Sequence, residues 1–114
     1  MPATLPAHLS PAVQAALAEA REALRERYGA RLLRLVLYGS HARGEAHEES
    51  DVDVLVVLRD PFDVPREIRR LVDIELDLLD RYGLNVHLLP FEKDRYADQG
   101  HPLMMNVRDE GILL

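Results

Sequence analysis

Apolar residues follow a helical period in some stretches of the chain and run without interruption in others, and this contrast predicts the elements. In the first stretch they recur on one face of a helix, at Val13, Leu17, Leu24 and Tyr28. Ser10 and Pro11 are a typical N-cap and first helical residue, and Gly29 is a typical C-terminal stop. The pattern predicts a helix over residues 11–28.

Three continuous aliphatic runs predict strands. They are RLLRLVLY (31–38), DVDVLVVL (51–58) and LNVHLLP (84–90), and such runs are typical of strands with both faces buried. An amphipathic stretch from about Arg66 to Tyr82 predicts a long helix that stops at Gly83. Its inward-facing residues are predicted to be Ile68, Leu71, Val72, Leu76 and Leu79.

The two ends of the chain have weaker patterns. Residues 1–9 hold two prolines and predict a flexible N-terminal arm, which leaves 10–114 as a single domain. Residues 91–100 predict a short helix and residues 101–110 a last helix, followed by an apolar tail of sequence ILL. The resulting order, α-β-β-α-β-α-α, predicts an α/β (α+β) fold with a small sheet flanked by helices.

Composition narrows the class of protein. The 114 residues carry 14 basic and 20 acidic side chains, a formal charge of −6, and no cysteine. A protein that binds long duplex nucleic acid usually has a basic face, so this class of partner is disfavoured. No apolar run approaches the ~20 residues that span a membrane, and the first ten residues lack the features of a signal peptide. We therefore expect a cytoplasmic protein without disulfides or zinc–thiolate sites.

Two carboxylates stand at the head of the second predicted strand. Residues i and i+2 of a strand point to the same side, ~6.6–7 Å apart, so Asp51 and Asp53 project together while Val52 points into the core. Like charges this close repel, and a cation between them removes the penalty. Mg²⁺ suits such a pair, because it takes one or two carboxylates plus phosphates and waters, and paired Mg²⁺ ions promote displacement at phosphorus.

A Gly-Ser pair at the end of the first predicted strand supplies a second candidate element. Gly39 lets backbone N–H groups approach an anion closely, and a helix that began at Ser40 would favour a phosphate. Arg43 lies one turn further on and could reach the same phosphates. For these residues to meet the carboxylates, the first two strands must run antiparallel, with residues 39–50 as an elbow over the site.

Other interpretations of each element remain open when it is taken alone. Asp-x-Asp pairs are common on surfaces, and the two glycines of GSHARG are spaced as in a phosphate-binding loop. However, Glu45 follows Gly44 where a Walker motif has lysine. Phosphatases with an aspartyl nucleophile carry the acids at the end of a strand, whereas here they open it. Only the combination is specific.

The stretch YGSHARGEAHEESDVDVLVVL resembles the signature of the DNA polymerase beta-type nucleotidyltransferase superfamily. It is most similar to minimal nucleotidyltransferases (MNT), small proteins often paired with a HEPN-domain partner. Each element of the family pattern has a counterpart in Gly39-Ser40, Arg43-Gly44, Ser50-Asp51 and Asp53. The resemblance covers roughly residues 30–114.

The resemblance implies a fold, a reaction and a partner. The fold is a small mixed sheet flanked by helices, the polymerase-beta palm fold. The reaction moves a nucleotidyl group, usually AMP from ATP or another NTP, to a hydroxyl on a partner protein or RNA. It further implies that Asp51 and Asp53 bind Mg²⁺, that Gly39 and Ser40 hold the triphosphate, and that the protein is the antitoxin of a HEPN/MNT pair.

One position departs from the family pattern. Active members commonly carry a third acid on the third strand, and His87 stands there in NVHLL. Neutral imidazole can accept a proton or bind a metal, although it is a poorer Mg²⁺ ligand than carboxylate. His87 can equally be a strand residue that only packs, so a catalytically degenerate module that binds nucleotide or masks a partner stays open. His41 is expected to be a solvated loop residue. The sequence also leaves open which acceptor is used and whether the protein forms a homo-oligomer.

Overall fold

The computed structural model describes residues 8–46, 50–96 and 111–114. The helices within these residues are α1 (Pro11–Tyr28), α2 (Ser40–Arg43), α3 (Val64–Tyr82) and α4 (Lys93–Tyr96), with a single 3-10 turn at Gly29–Arg31. The strands are β1 (Leu32–Tyr38), β2 (Val52–Leu58), β3 (Val86–Glu92) and β4 (Ile112–Leu113). In this part of the chain no helix is both long and apolar enough to span a bilayer.

The four strands form one mixed sheet in the order β3-β2-β1-β4. β1 runs antiparallel to β2 and to β4, whereas β2 and β3 are parallel. The predicted fold class and the antiparallel arrangement of the first two strands are therefore confirmed. The sequence did not predict β4, because two residues are too few to give a strand pattern.

The predicted bounds of the first helix are confirmed at both ends. The Ser10 hydroxyl accepts a hydrogen bond from the Val13 N–H at 3.2 Å, and Pro11 occupies the first turn. Gly29 caps the other end with a φ of 55°, and its N–H donates to the Arg25 carbonyl. The four residues predicted to face the core are all buried.

Both faces of the sheet are covered, which explains the continuous aliphatic runs. One face packs against α1 and α3 through a large cluster that takes every second residue of β2. The other face carries a smaller cluster of Val36, Leu55, Val57 and Phe91, with Tyr96 of α4 packed against it. β2 is central, and all of its residues are buried except Asp53, which is half-buried.

The face that α3 buries was predicted wrongly. Leu71 is buried as expected, but Ile68, Val72, Leu76 and Leu79 are 40–58% exposed. The helix carries two neighbouring apolar stripes, and the one that faces the core contains Glu67, Leu71, Ile74 and Leu78. Glu67 can lie inside because the buried Tyr28 hydroxyl donates to its carboxylate at 2.5 Å. A charged residue within the inner stripe made the outer stripe look like the core face.

Smaller differences concern the third strand and the chain ends. β3 starts and ends two residues later than the predicted 84–90 strand. The short helix predicted over 91–100 corresponds to α4, and the last predicted helix, 101–110, lies outside the described residues. Leu9, at the end of the predicted arm, is 4% exposed and packs in the main cluster.

Candidate active site

Strand pairing brings the predicted site residues to one end of the sheet. Tyr38, the last residue of β1, lies opposite Asp53 in the antiparallel pair. Asp53 in turn lies beside His87 in the parallel pair with β3. The end of β1 and the starts of β2 and β3 therefore meet, and Asp53 and His87, 34 positions apart in sequence, become neighbours.

Gly39 is in direct contact with one of the two carboxylates. Its φ of 79° is a conformation that residues with a side chain rarely adopt. A Cβ atom at this position would lie 2.6 Å from the Asp53 Oδ2 atom. Glycine is therefore required twice, once by the backbone conformation and once by the space that the Asp53 carboxylate fills.

Asp53 lies in an environment that disfavours its charge. Burial is the main cause that raises the pKa of its carboxyl group, and the nearby Asp51 carboxylate raises it further. His87 and His41 act in the opposite direction. A cation at this point would offset both unfavourable contributions, so the electrostatics fit the metal-binding role implied for this pair.

His87 lies on the open side of the pair. Its Nε2 atom is 3.4 Å from the Asp51 Oδ2 atom, and the two side chains are 61% and 49% exposed. Among the described residues, no group of three histidine, aspartate or glutamate side chains is arranged to hold a metal ion. The donor set still fits Mg²⁺, which takes one or two carboxylates and completes its shell with phosphate oxygens and water.

The predicted elbow begins with a short helix. α2 starts at Ser40 directly after Gly39, as the phosphate-binding hypothesis required, and ends at Gly44 with a φ of 75°. The Arg43 Nε atom donates to the Glu45 carboxylate at 3.1 Å. Arg43 therefore has an acidic neighbour with which an incoming phosphate would compete.

His41 differs from its predicted environment, because it is only 8% exposed. Its Nε2 atom lies 3.2 Å from the Ser50 carbonyl oxygen, and its own carbonyl oxygen lies 2.9 Å from the His8 Nε2 atom. The ring thus ties the start of the elbow to the residue before Asp51. The loop-like sequence around His41 gave no sign of this burial.

Tyr38 is a site residue that the sequence reasoning missed. Burial is the first cause that raises the pKa of its hydroxyl, and the facing Asp53 carboxylate is the second. The residue was assigned only to the strand, and nothing short of the β1–β2 register could have placed it against Asp53.

Comparisons with known proteins identify a family and relatives with similar sequences. The sequence matches the nucleotidyltransferase domain family over residues 17–113. A provisionally named protein adenylyltransferase of Methanocaldococcus jannaschii, MJ0604, is 31% identical over 100 residues, which are 87% of this chain and 94% of the relative. The protein adenylyltransferase MntA of Thermococcus cleftensis is 36% identical over 77 residues, 68% of this chain and 72% of the relative.

Solved structures share the fold. One provisionally described as a minimal nucleotidyltransferase superposes with a TM-score of 0.58 and 28% identity over 96% of this chain and all of its own (100%). A toxin–antitoxin structure with AMP-PNP gives a TM-score of 0.58 at 20% identity, covering 82% of this chain and 68% of its own. A Shewanella oneidensis complex of a tri-AMPylated HEPN toxin with an MNT antitoxin gives 0.52 at 16% identity, covering 86% and 70%.

Proposed function

Because the chain belongs to the nucleotidyltransferase domain family, we propose that it transfers an adenylyl group from ATP to a hydroxyl group of a partner protein. Two relatives are named protein adenylyltransferases, which supports a protein acceptor. Solved structures of the same fold contain AMP-PNP in one case and an AMPylated HEPN toxin with its MNT antitoxin in another. The partner proposed for this chain is accordingly a HEPN-domain protein, with the chain as its antitoxin.

One observation carries the proposal, the close approach of Gly39 to the Asp53 carboxylate. It joins the end of β1 to the start of β2 and leaves no room for a side chain between them. A triphosphate held by the backbone of Gly39 and by the Ser40 hydroxyl would lie directly beside Asp51 and Asp53. Arg43 would add a charged contact to the phosphates after leaving Glu45.

The reaction exchanges one ester bond for another. The acceptor hydroxyl oxygen attacks the α-phosphorus of ATP, the bond to the bridging oxygen breaks, and pyrophosphate leaves. The proton of the hydroxyl passes to the Nε2 atom of His87, which lies on the open side of the site beside Asp51. Asp51 and Asp53 would hold Mg²⁺ together with the phosphates, and the ion would neutralise the charge that develops there.

Transfer of radiolabelled AMP from ATP to a HEPN-domain partner tests the proposal. Asp51→Asn and Asp53→Asn should each reduce transfer by at least about 100-fold, the scale of losing a charge contact made in the transition state. Asp60→Asn is the matched control, because Asp60 is an exposed residue beyond the other end of β2. Transfer that survives both site substitutions would place the chemistry elsewhere.

A degenerate, nucleotide-binding or partner-masking module is the second candidate. The observation in its favour is that His87 stands where a third acid is expected, with no three-ligand cluster in the part of the chain that the structure describes. The same assay separates the two functions. Wild-type protein that binds an ATP analogue in the presence of Mg²⁺ but transfers no AMP would support the module and contradict the enzyme.

A further inference from the structure

His41 is a buried polar residue whose neighbours in sequence are half-buried or exposed. In the described part of the chain, the buried polar or charged residues are His41 and Glu67. Glu67 has its partners, because the Tyr28 hydroxyl and the Arg70 guanidinium both donate to its carboxylate. A buried polar group without a partner is costly, so the contacts of the His41 ring indicate what it does.

The ring of His41 donates a hydrogen bond to the backbone at the far end of the elbow. Its Nε2 atom lies 3.2 Å from the Ser50 carbonyl oxygen. A carbonyl oxygen only accepts hydrogen bonds, so the Nε2 atom must carry a proton. The bond joins residues nine positions apart, and it therefore closes the elbow between α2 and the start of β2.

This bond lies next to the carboxylate that stands outside the strand ladder. Asp53 lies within β2 and has ladder partners on both sides, in β1 and in β3. Asp51 precedes the strand, and pairing with β3 starts only at Val52, whose N–H donates to the Asn85 carbonyl at 2.9 Å. The backbone of Asp51 is therefore flanked by this bond on one side and by the bond of His41 on the other.

The backbone of His41 is itself held in place within α2. Its carbonyl oxygen lies 2.9 Å from the His8 Nε2 atom and accepts a hydrogen bond from the Gly44 N–H at 3.4 Å. Ser40, the residue before it, is the one proposed to hold the triphosphate. A single side chain thus links the short helix that would hold phosphate to the backbone beside Asp51.

We propose that His41 is a positioning residue, whose ring fixes the phosphate-binding start of the elbow relative to the Asp51 carboxylate. It touches neither the substrate nor the ion, and it acts only through the Ser50 carbonyl. This role rests on the proposed function for the reaction that is being positioned. The hydrogen bond and its effect on nucleotide binding are measurable without transfer, so either idea can fail alone.

A role in packing alone gives a different expectation. The ring also lines a cavity of about 350 Å³, whose wall includes Val13 of α1. If His41 only filled space there, its replacement would lower stability, while binding and rate per folded molecule would not change. Val13→Ala is therefore the matched control, because it enlarges the same cavity from the α1 side and leaves the His41 ring and the Ser50 carbonyl in the sequence.

Two substitutions of His41 in the full chain test the proposal. His41→Met removes the donor and keeps a large side chain, whereas His41→Gln places an amide N–H near the position of the Nε2 atom. Long-range proton–nitrogen NMR of the wild-type ring should show the tautomer protonated at Nε2. Affinity for AMP-PNP with Mg²⁺ should fall by about tenfold in His41→Met, the scale of one hydrogen bond, and recover to within about threefold of wild type in His41→Gln.

The rate of AMP transfer gives a second readout. The kcat should fall by about tenfold or more in His41→Met, because a misplacement of 1 Å can cost ~100-fold in rate, and His41→Gln should restore most of it. Val13→Ala should match wild type in affinity and in kcat after correction for the folded fraction, although it lowers the free energy of unfolding.

A ring protonated at Nδ1 alone would overturn the proposal, because the Nε2 atom could not then donate to Ser50. So would a His41→Met variant that binds AMP-PNP like wild type, or a His41→Gln variant that binds it no better than His41→Met. Wild-type protein that binds the analogue but transfers no AMP would contradict the proposed function, and the affinities of the variants would still decide the positioning role. Wild-type protein that does not bind the analogue would overturn both.

Discussion

Gly39→Ala tests whether the contact between the end of β1 and the Asp53 carboxylate positions the site. The substitution adds one methyl group at the point where the elbow leaves the strand. Its Cβ atom would lie 2.6 Å from the Asp53 Oδ2 atom. We expect the variant to fold, to lose some stability and to lose most of the proposed transfer activity.

The effect of Gly39→Ala has two causes, the backbone conformation at this position and the contact with the Asp53 carboxylate. The φ of 79° and ψ of −158° at Gly39 belong to a region that only glycine populates readily, and a side chain there costs about 1–3 kcal/mol. A Cβ atom in ordinary van der Waals contact lies 3.4–4 Å from its neighbour, so the Asp53 carboxylate must move by roughly 1 Å. A displacement of that size in a catalytic group can cost about 100-fold in rate.

Gly83→Ala separates the two parts. Gly83 also has a positive φ, 67°, but a Cβ atom there would meet nothing within 4 Å. The Gly83→Ala substitution should therefore cost only the energy of the left-handed backbone conformation, about 1–2 kcal/mol. Urea denaturation of both variants measures the free energy of unfolding, and AMP transfer to the partner measures the activity of the site.

The expected pattern is a loss of stability in both variants and a loss of transfer in Gly39→Ala alone. Equal transfer by the two variants, after each is corrected for its folded fraction, would refute the reasoning. The Gly39–Asp53 contact would then be a packing feature of the sheet, and the nucleotide would bind elsewhere.

Three further predictions address neighbouring groups. His87→Ala should abolish transfer and leave the fold intact while His87→Asp retains it; equal rates for wild type and both variants would exclude a catalytic role. Tyr28→Phe should lower the free energy of unfolding by about 1.5–3 kcal/mol, the scale of a hydrogen bond to a charged group, since it removes the hydroxyl that donates to the Glu67 Oε2 atom; an unchanged urea midpoint would contradict this. Asp53→Asn should stabilise the ligand-free protein at neutral pH, because burial raises the pKa of Asp53 and its charge is a cost above that pKa. The gain should shrink at acid pH, where the wild-type carboxyl is protonated, and a gain that grows on acidification would have the wrong sign.

The strands and the first helix could be predicted because their sequence signals are local. Capping by Ser10 and Gly29 fixes α1 without reference to the rest of the chain. The continuous aliphatic run of β2 follows from burial on both faces, which any central strand requires. The antiparallel start of β2 could be inferred only by assuming that Gly39 and Asp51 serve one ligand.

The orientation of α3 and the environment of His41 could not be predicted because they depend on partners distant in sequence. Glu67 turns inward only because Tyr28, 39 residues earlier, presents its hydroxyl. His41 is buried only because Ser50 and the region of His8 close around it. A single sequence shows the polarity of each residue but not the partner that satisfies it.

The position of His87 follows from which carboxylate the sheet buries. Asp53 sits between β1 and β3, faces Tyr38 across the pair, and carries the burial penalty. Asp51 precedes β2 and is half exposed, and His87 approaches that outer carboxylate. In the proposed reaction an acceptor would approach from the exposed side, where the His87 and Asp51 side chains are 61% and 49% exposed. In the proposed transfer the proton of the acceptor would pass to a side chain beside Asp51, which is the place that His87 occupies.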